Sequence, residues 1–464
     1  MTGIVEALID ALPPGTVLTG EDAAPFATDL MGPGAAPLAV TRPASTEEVS
    51  RVMALCHAQG VTVIPQGGNS NVCRMAVPLG GQSAIILSLA RMNRILDVDP
   101  DCSTLTAEAG ATVQAVQDAA EAADRLFSPD WGARGTAMLG GAVATNGGGQ
   151  NVFRYGTTRE QVLGLEVVLP DGRVWNGMRA LRKDNSGYDL KQLFIGSEGT
   201  LGIITRLVVK LHPRQPVTNS MMAVLTDMSR LMEFLNIAKS IAGDKLVAFE
   251  LMNGIGVEKA LARYPDLKRP LETRAEWYLL LRLAHRAAVD DDLMAIYEAG
   301  SEAGLIADAT LAQTAQQENN LWEVRDQMIP RQYFPGPAAG WDVSVPITSI
   351  TRFLDEAKTL AHMLDPDAIC YAVGHVGDGN IHYSVFPSEA AGGDVDALIE
   401  ALTAQVDGLI WSLGGSIVAE HGVGSKYAAR LSGQKSELEL ELMASVRQLF
   451  DPKGILNPGK LLLR

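Results

Sequence analysis

The chain has 464 residues, of which 47% are hydrophobic and 20% charged, a composition typical of a globular protein with two or three domains. Its 38 basic and 54 acidic residues give a net charge of −16, which argues against nucleic acid or an anionic membrane as partner. The four cysteines show no CxxC spacing, so we expect reduced thiols in a cytoplasmic protein. No apolar run approaches the ~20 residues of a transmembrane helix, and residues 1–12 show an amphipathic helix pattern, not that of a signal peptide.

Helix and strand signals alternate in the first part of the chain. Ser45 or Thr46, followed by Glu48 or Glu47, forms a capping sequence that predicts a helix ending at Gly60. Short apolar runs predict strands at 61–64, 84–89, 95–98 and 104–107. A helix is expected over residues 112–123, and two further strands at 162–169 and 203–211. The turn sequence 170–172, Pro-Asp-Gly, predicts a hairpin. This alternation indicates an α+β or α/β fold.

Three glycine-rich loops lie between these strand signals, at residues 65–71, 131–149 and 196–202. Backbone N–H groups in such loops hold phosphate oxygens, although a single loop of this kind is usually a plain turn. The first loop has no lysine, which excludes a nucleoside triphosphate site, and the chain lacks the Rossmann fingerprint G-x-G-x-x-G. Three such loops within about 150 residues favour one extended cofactor that carries phosphate.

Three of the seven histidines fall in two short glycine-flanked segments near the end of the chain. His375 and His382 bracket a Gly-Asp-Gly-Asn sequence that predicts a tight turn, so they can face each other across a hairpin as ligands of one divalent metal. Glu420 would add an oxygen ligand, and His421 could act as a base beside the metal. Histidines that bracket a turn are also often surface residues or caps. The interpretation as a metal site therefore rests on the clustering of three histidines in two short segments.

The ordered set of loops resembles the FAD-binding domain of the vanillyl-alcohol oxidase/p-cresol methylhydroxylase flavoproteins. The resemblance rests on PQGGN at 65–69, GGAVATNGG at 140–148 and GSEGTLGII at 196–204. The second half of the chain resembles the C-terminal domain of their D-2-hydroxy-acid dehydrogenase branch, which includes D-lactate, glycolate and D-2-hydroxyglutarate dehydrogenases. The resemblance therefore implies an α+β protein with a two-part FAD-binding domain and an α/β substrate domain, or cap.

The resemblance also implies domain limits. Pro213 and Pro216 mark a change to longer helices and fewer glycines. We predict an FAD-binding domain over residues 1–216, with an N-terminal helical segment at 1–40. A substrate and metal domain is expected over 217–425, and a C-terminal segment, 426–464, is expected to return to the FAD domain.

The same resemblance assigns roles to individual residues. The residues that would hold the FAD pyrophosphate are Gly67, Gly68, Asn69 and Ser70, and Pro65 is a further cofactor-binding residue of the same loop. Those that would follow the flavin and the adenosine are Gly141, Thr145, Asn146, Gly148, Gly199, Ile204 and, from the C-terminus, Asn457. His375, His382 and Glu420 resemble the metal ligands, His421 the base and Arg325 the residue that binds the substrate carboxylate. The first loop contains no histidine, so non-covalent FAD is expected.

Two positions depart from the pattern of the D-2-hydroxyglutarate enzymes. Gly340 stands where a lysine is usual, and Ser384 where an asparagine is usual, two residues after the second histidine. Both departures weaken the expectation of a second carboxylate on the substrate. The choice between a D-lactate-type and a D-2-hydroxyglutarate-type acid therefore stays open.

The function predicted on these grounds is oxidation of a D-2-hydroxy acid to the 2-oxo acid, with hydride transfer to FAD and assistance from a divalent metal, zinc ahead of manganese. A separate electron acceptor is expected, namely an electron-transfer flavoprotein, a cytochrome or a quinone, and a homodimer is compatible with the resemblance. The alternatives are a flavin oxidase or dehydrogenase of another alcohol, and a non-catalytic flavoprotein subunit of a complex.

Overall fold

The computed structural model describes residues 2–389 and 394–463. Its longer helices span Thr2–Ala11, Thr46–Gln59, Val113–Ala122, Leu231–Ala242, Gly254–Arg263, Asp290–Glu302, Ala315–Asp326, Ile350–Leu364, Val395–Ser412 and Glu437–Phe450. Its shorter helices span Leu139–Thr145, Val152–Tyr155, Thr158–Gln161, Lys191–Phe194 and Ala428–Gln434. None of the helices in this part of the chain is long and apolar enough to cross a membrane.

The chain forms two compact units. The first unit comprises residues 1–149, 155–214 and 420–464, and the second comprises 150–154 and 215–419. Each unit has its own sheets and its own apolar core. The mixture of helices and sheets confirms the predicted α+β class.

Two main sheets make up the first unit. The four-stranded sheet has the order Val17–Leu18, Ala39–Thr41, Ala84–Ser88, Thr62–Gln66, and its last three strands are parallel. The five-stranded sheet is antiparallel and has the order Val174–Gly177, Val162–Val168, Ile203–Lys210, Thr104–Glu108, Ile95–Asp99. Buried residues from both sheets, among them Val63, Leu105 and Leu207, belong to one core. The FAD-binding region thus has the predicted two parts.

Local sequence accounts for several of these elements. The Ser45 side chain accepts a hydrogen bond from the Glu48 amide and caps the helix Thr46–Gln59, as predicted. Gly60 ends that helix in the left-handed region, at φ 66°. The predicted hairpin after residue 169 is also present, because Val174–Gly177 pairs antiparallel with the end of the preceding strand.

One antiparallel sheet of seven strands forms the centre of the second unit. Its order is Ile306–Leu311, Val217–Leu225, Trp277–His285, Leu246–Asn253, Ile369–Gly374, Asn380–Phe386, Ala339–Ser344. Alternate residues of each strand point to opposite faces. On one face, Phe249 and Leu251 belong to a core shared with Phe234 and Phe353 of the covering helices. Glu250 lies between them in sequence and therefore points to the other face.

Two helices, Gly254–Arg263 and Ala315–Asp326, cover part of this second face. Their side chains Val257 and Trp322 pack with Met252 and other apolar residues of the strands. Glu250 shares this face with that smaller core, so the fold brings a charged side chain to the edge of an apolar region. This face is where the predicted site residues of the second unit lie.

Candidate functional site

The two predicted metal-binding histidines lie at the two ends of a β-hairpin turn. The strands Ile369–Gly374 and Asn380–Phe386 pair so that Val373 is opposite His382, and His375 follows at the start of the turn. The His375 carbonyl accepts hydrogen bonds from three turn amides at 3.2 Å, which closes the turn. The two imidazole ring centroids are 5.8 Å apart, with the rings nearly perpendicular. The hairpin therefore brings the two imidazoles together.

Glu250 binds both His375 and Arg325. Its Oε1 is 2.6 Å from His375 Nδ1, and its Oε2 accepts from Arg325 Nε at 2.9 Å and Nη2 at 2.8 Å. All three side chains are largely buried: the exposed fraction is 1% for Glu250, 6% for His375 and 14% for Arg325. A carboxylate that accepts from a ring nitrogen on one side and a guanidinium edge on the other fixes the orientation of both groups.

The electrostatics of this trio favour an ionised Glu250. Burial alone would raise the pKa of this carboxyl, but the charges and hydrogen bonds of His375 and Arg325 outweigh burial and lower the pKa to about 2. Asp326 follows Arg325 in the helix, and burial raises its pKa although the neighbouring guanidinium opposes the change. A negative Glu250 therefore persists at neutral pH, and the other end of the guanidinium, Arg325 Nη1, lies 3.8 Å from Asp326 Oδ1.

His382 has its own carboxylate neighbour. Asp342, 2% exposed, lies in the adjacent strand directly opposite His382, with Oδ1 3.4 Å from His382 Nδ1. Asn380 donates to the same Asp342 oxygen at 2.9 Å and to the Val343 carbonyl at 2.8 Å. Each imidazole thus has a buried carboxylate on its Nδ1 side, which directs Nε2 away from that carboxylate.

These donors fit a divalent metal. An imidazole that binds a metal at about 2.1 Å has its ring centre roughly 3 Å from the ion, so two such rings lie no more than roughly 6 Å apart. The observed 5.8 Å between His375 and His382 satisfies that limit. A carboxylate behind each imidazole is the usual arrangement for a metal-binding histidine.

Glu420 and His421 belong to the first unit. The Glu420 side chain accepts a hydrogen bond from the Gly149 amide at 2.6 Å. It lies so close to Gly148 that a Cβ there would be 2.6 Å from the Glu420 carboxylate. The preceding residue, Ala419, belongs to the second unit and donates to the Asp342 carbonyl at 2.9 Å. Glu420 is therefore packed against the glycine loop expected to follow the flavin.

The first unit brings the residues expected to hold FAD into contact with one another. A Cβ built on Gly199 would be 2.6 Å from Pro65, and one on Gly67 would be 3.9 Å from Gly141. Asn457 Nδ2 donates to the carbonyl of the residue before Gly199 at 2.8 Å. Asn146 accepts from the Arg159 amide, Gly148 contacts Glu420, and Ile204 is buried in the core of this unit. The predicted loops thus meet in one region of the unit.

This region fits a polar cofactor. Among the residues that the structure describes, Asn69 Oδ1 and Asn457 Oδ1 are buried without a hydrogen-bond partner. Both residues have positive φ, at 53° and 46°, so the backbone holds them in a conformation that costs energy. A Cβ added to Gly141 would meet no atom within 4 Å. Buried acceptors without a protein partner, on two residues of the predicted cofactor site, are compatible with a polar cofactor that carries hydrogen-bond donors.

The two positions that depart from the D-2-hydroxyglutarate pattern are direct neighbours. Gly340 and Ser384 are opposite each other in adjacent strands, two residues from the Asp342–His382 pair. A Cβ built on Gly340 would be 3.7 Å from the Ser384 hydroxyl. Gly340, Asp342, His382 and Ser384 therefore lie on one face of the sheet, and the departures alter one small part of the site together.

The sequence interpretation did not identify Glu250 and Asp342 as part of the site. A signal for Glu250 was available, because it is the one charged residue in the otherwise apolar or amide strand sequence LVAFELMN. Asp342 likewise lies in the strand AGWDVS, between two buried apolar residues. A lone carboxylate in a buried strand requires a partner, but the sequence does not name that partner.

Comparison with protein families identifies the chain. The profile described as "FAD linked oxidases, C-terminal domain" matches residues 214–461, and the "FAD binding domain" profile matches residues 37–177. The chain belongs to the FAD-linked oxidase family. It is an FAD-linked oxidoreductase, and the predicted family and FAD-binding fold are confirmed.

Individual relatives agree with this assignment. The chain is 36% identical over 426 residues to the D-2-hydroxyglutarate dehydrogenase of Xanthomonas citri pv. viticola, covering 91% of this chain and 89% of the relative. It is 36% identical over 425 residues to the mitochondrial D-2-hydroxyglutarate dehydrogenase of Danio rerio, covering 91% and 78%. The crystal structure of p-cresol methylhydroxylase superposes with a TM-score of 0.78 at 17% identity, covering 99% of this chain and 96% of that one, and shows the shared fold.

Replacing Gly141 by alanine tests the cofactor site of this FAD-linked oxidase. The helix Leu139–Thr145 should tolerate alanine, because the added Cβ meets open space in the protein alone. Against bound FAD the same methyl group should cost about 1–3 kcal/mol, which weakens FAD binding roughly 5- to 150-fold. The dissociation constant is measured by titrating apoprotein with FAD. Gly408→Ala, in the helix Val395–Ser412, also faces open space and is the control, and equal FAD affinity for the two variants would contradict the assignment.

Replacing Glu250 by glutamine tests the buried trio. Breaking a buried charge pair costs about 3–5 kcal/mol, and a unit of this size loses about 2–4 °C per kcal/mol, so the melting temperature should fall by roughly 6–20 °C. The lowered pKa means that this contribution is complete at pH 7 and is lost only as the pH falls through about 4 toward 2. Calorimetry at pH 7 measures it. Glu233→Gln, which removes an exposed pair with Arg230, should change little.

Proposed function

We propose that this FAD-linked oxidoreductase oxidises a D-2-hydroxy acid to the corresponding 2-oxo acid. The observation that supports the proposal is the pair of hydrogen-bonded contacts of Glu250 with His375 and Arg325. These contacts hold an imidazole and a guanidinium next to each other on the sheet face. A cation and a metal-binding nitrogen beside each other suit a substrate with adjacent carboxylate and hydroxyl oxygens. The relatives named as D-2-hydroxyglutarate dehydrogenases support the same class of substrate.

Arg325 is proposed to bind the substrate carboxylate. Glu250 uses the Nε and Nη2 edge of the guanidinium, so the rigid plane is oriented before substrate arrives. A guanidinium has five N–H donors, and a second carboxylate can share them. Holding Arg325 in this way reduces the conformational entropy lost when the substrate binds.

His375, His382 and Glu420 are proposed as ligands of a divalent metal, zinc ahead of manganese. The carboxylates of Glu250 and Asp342 support the two imidazoles through their Nδ1 atoms. When bound, a divalent ion supplies Lewis acidity that lowers the pKa of the substrate hydroxyl. Three protein ligands, two nitrogens and one oxygen, are typical of a catalytic site that keeps a position open for substrate.

His421 is proposed as the base that takes the proton from the substrate hydroxyl. It follows Glu420 directly, so the proposed base and the proposed metal ligand are consecutive residues of the same segment. FAD supplies, when bound, the acceptor for the hydride that leaves C2 of the substrate. The proton on His421 and the hydride together account for the two hydrogens lost in forming the 2-oxo acid.

The substrate side chain and the electron acceptor are open within this proposal. Gly340 and Ser384 place a small residue and a hydroxyl where a D-2-hydroxyglutarate enzyme usually has a lysine and an asparagine. A D-lactate-type acid therefore stands beside a D-2-hydroxyglutarate-type acid as substrate. A separate acceptor, whether an electron-transfer flavoprotein, a cytochrome or a quinone, is proposed to reoxidise the flavin.

Anaerobic flavin bleaching tests the reaction and the base together. The absorbance near ~450 nm, where oxidised flavin absorbs, should fall when D-lactate, D-2-hydroxyglutarate, glycolate or D-malate is added to the wild-type protein. His421→Asn should keep FAD but bleach roughly 10²- to 10⁴-fold more slowly, because a positioned base contributes about that factor. A flavin that stays oxidised with every acid would favour a non-catalytic subunit, and bleaching by another alcohol would favour a different oxidase. Wild-type speed in His421→Asn would exclude it as the base.

Metal analysis tests the ligand set. His382→Ala should lower the bound zinc or manganese to a small fraction of the wild-type content, because two remaining ligands bind a divalent ion weakly. A chelator should slow flavin reduction in the wild-type protein, and added metal should restore it. His57→Ala, which alters a histidine of the helix Thr46–Gln59, is the matched control for metal content. A chelated protein that keeps its full rate would contradict the metal's role.

A further inference from the structure

The first unit contains a buried carboxylate that the proposed reaction does not use. Glu198 lies in the third glycine loop and is 5% exposed. Its φ of 52° is positive, which is uncommon for a residue with a side chain and costs energy. A strained, buried glutamate persists only where surrounding contacts hold it.

The Glu198 side chain binds the segment that carries His421. Its Oε1 accepts from the Val423 amide at 2.6 Å and its Oε2 from the Gly424 amide at 2.7 Å. Both carboxylate oxygens are therefore used on two successive amides of one segment. Burial raises the pKa of the Glu198 carboxyl to about 7, although the two amide hydrogen bonds oppose the change, so the segment is held by the geometry of the paired bonds.

The segment approaches Glu198 and its neighbours closely at two glycines, Gly422 and Gly424. A Cβ on Gly422 would be 2.8 Å from Glu198 Oε1 and 2.2 Å from Met75 Cε. One on Gly424 would be 1.9 Å from the Cys73 carbonyl oxygen. Both glycines also have positive φ, at 78° and 55°. The backbone after His421 is thus fitted closely to the carboxylate.

The backbone of Glu198 is itself tied to two other parts of the FAD-binding unit. Its amide donates to the Ala144 carbonyl at 2.8 Å, at the end of the second glycine segment. Its carbonyl accepts from Asn457 Nδ2 at 2.8 Å, and the Leu461 amide donates to the Gly424 carbonyl at 3.0 Å. One residue therefore joins the second and third glycine loops, the C-terminal segment and the His421 segment.

We propose that Glu198 is a positioning residue that holds His421 at a fixed place relative to the FAD-binding loops. Only Gly422 separates His421 from the first amide that Glu198 binds. Loss of the paired bonds lets the segment move, and a displacement of about 1 Å lowers the rate of a positioned reaction on the order of 100-fold. This role rests on the proposed function of His421 and extends it to a residue that touches neither substrate nor metal.

The test compares Glu198→Gln with Glu166→Gln. The amide of glutamine can accept only one of the two N–H bonds and presents a donor to the other. Glu166 is the matched control, because it is equally buried in the same unit but binds the hydroxyls of Thr46 and Thr205, not the His421 segment. Hydrogen exchange of the peptide spanning residues 420–428 measures the positioning directly and needs no activity.

In Glu198→Gln, exchange of that peptide should be roughly 10- to 100-fold faster than in the wild-type protein. Reduction of the flavin by the best D-2-hydroxy acid should fall about 10- to 100-fold in kcat with KM nearly unchanged, because the base is displaced while Arg325 is untouched. FAD content and reduction by dithionite should be unchanged. Glu166→Gln should keep both wild-type exchange in the peptide and wild-type kcat.

If Glu198→Gln does not fold, Gly422→Ala displaces the same contact while leaving the carboxylate in place, and the same changes are expected. Wild-type exchange of the 420–428 peptide in the folded variant would overturn the inference, as would an equal loss of kcat in Glu166→Gln. Faster exchange with a wild-type flavin that no D-2-hydroxy acid reduces would leave the positioning intact and reject the proposed function.

Discussion

A single buried carboxylate, Glu250, determines how the second unit presents its chemistry. Burial disfavours its charge, and it stays ionised because His375 and Arg325 lie on either side of it at 2.6–2.9 Å. The same two contacts fix an imidazole and a guanidinium that come from distant parts of the chain. Removing Glu250 would take away the carboxylate that both His375 and Arg325 contact, so the orientations of these two groups depend on it.

The sheet of the second unit makes this arrangement compatible with a stable core. Because strand residues alternate between faces, Phe249 and Leu251 pack with the covering helices while Glu250 faces the opposite way. The same alternation puts Asp342 beside His382 and Gly340 beside Ser384. The candidate site residues of this sheet thus lie on one face, and the larger apolar core lies on the other.

In the first unit, backbone amides bind the buried carboxylate. Glu198 is held by two amides, of Val423 and Gly424, and not by a cation and an imidazole. Backbone donors cannot swing away as side chains can, so they fix the position of a chain segment, whereas the ionic contacts of Glu250 fix the orientation of side chains. Gly422 has a positive φ of 78° and lies close to the Glu198 carboxylate, so a side chain there would be strained and would displace Glu198 or Met75. The two carboxylates therefore control different features: Glu250 controls the orientation of side chains, and Glu198 controls the path of the backbone.

The sequence by itself determined the glycine loops, the cofactor family, the α+β class and the hairpin that pairs His375 with His382. The loops, the hairpin and the alternation of helices and strands follow from turn chemistry and residue periodicity over about ten residues or fewer, whereas the cofactor family follows from the resemblance of the ordered motifs to FAD-binding flavoproteins. Only the tertiary structure decided which buried groups orient them, because Glu250 is 125 residues from His375 and 75 from Arg325, and Glu198 is 225 residues from Val423. A sequence shows that a carboxylate in an apolar strand needs a partner, but packing of distant strands and loops chooses that partner.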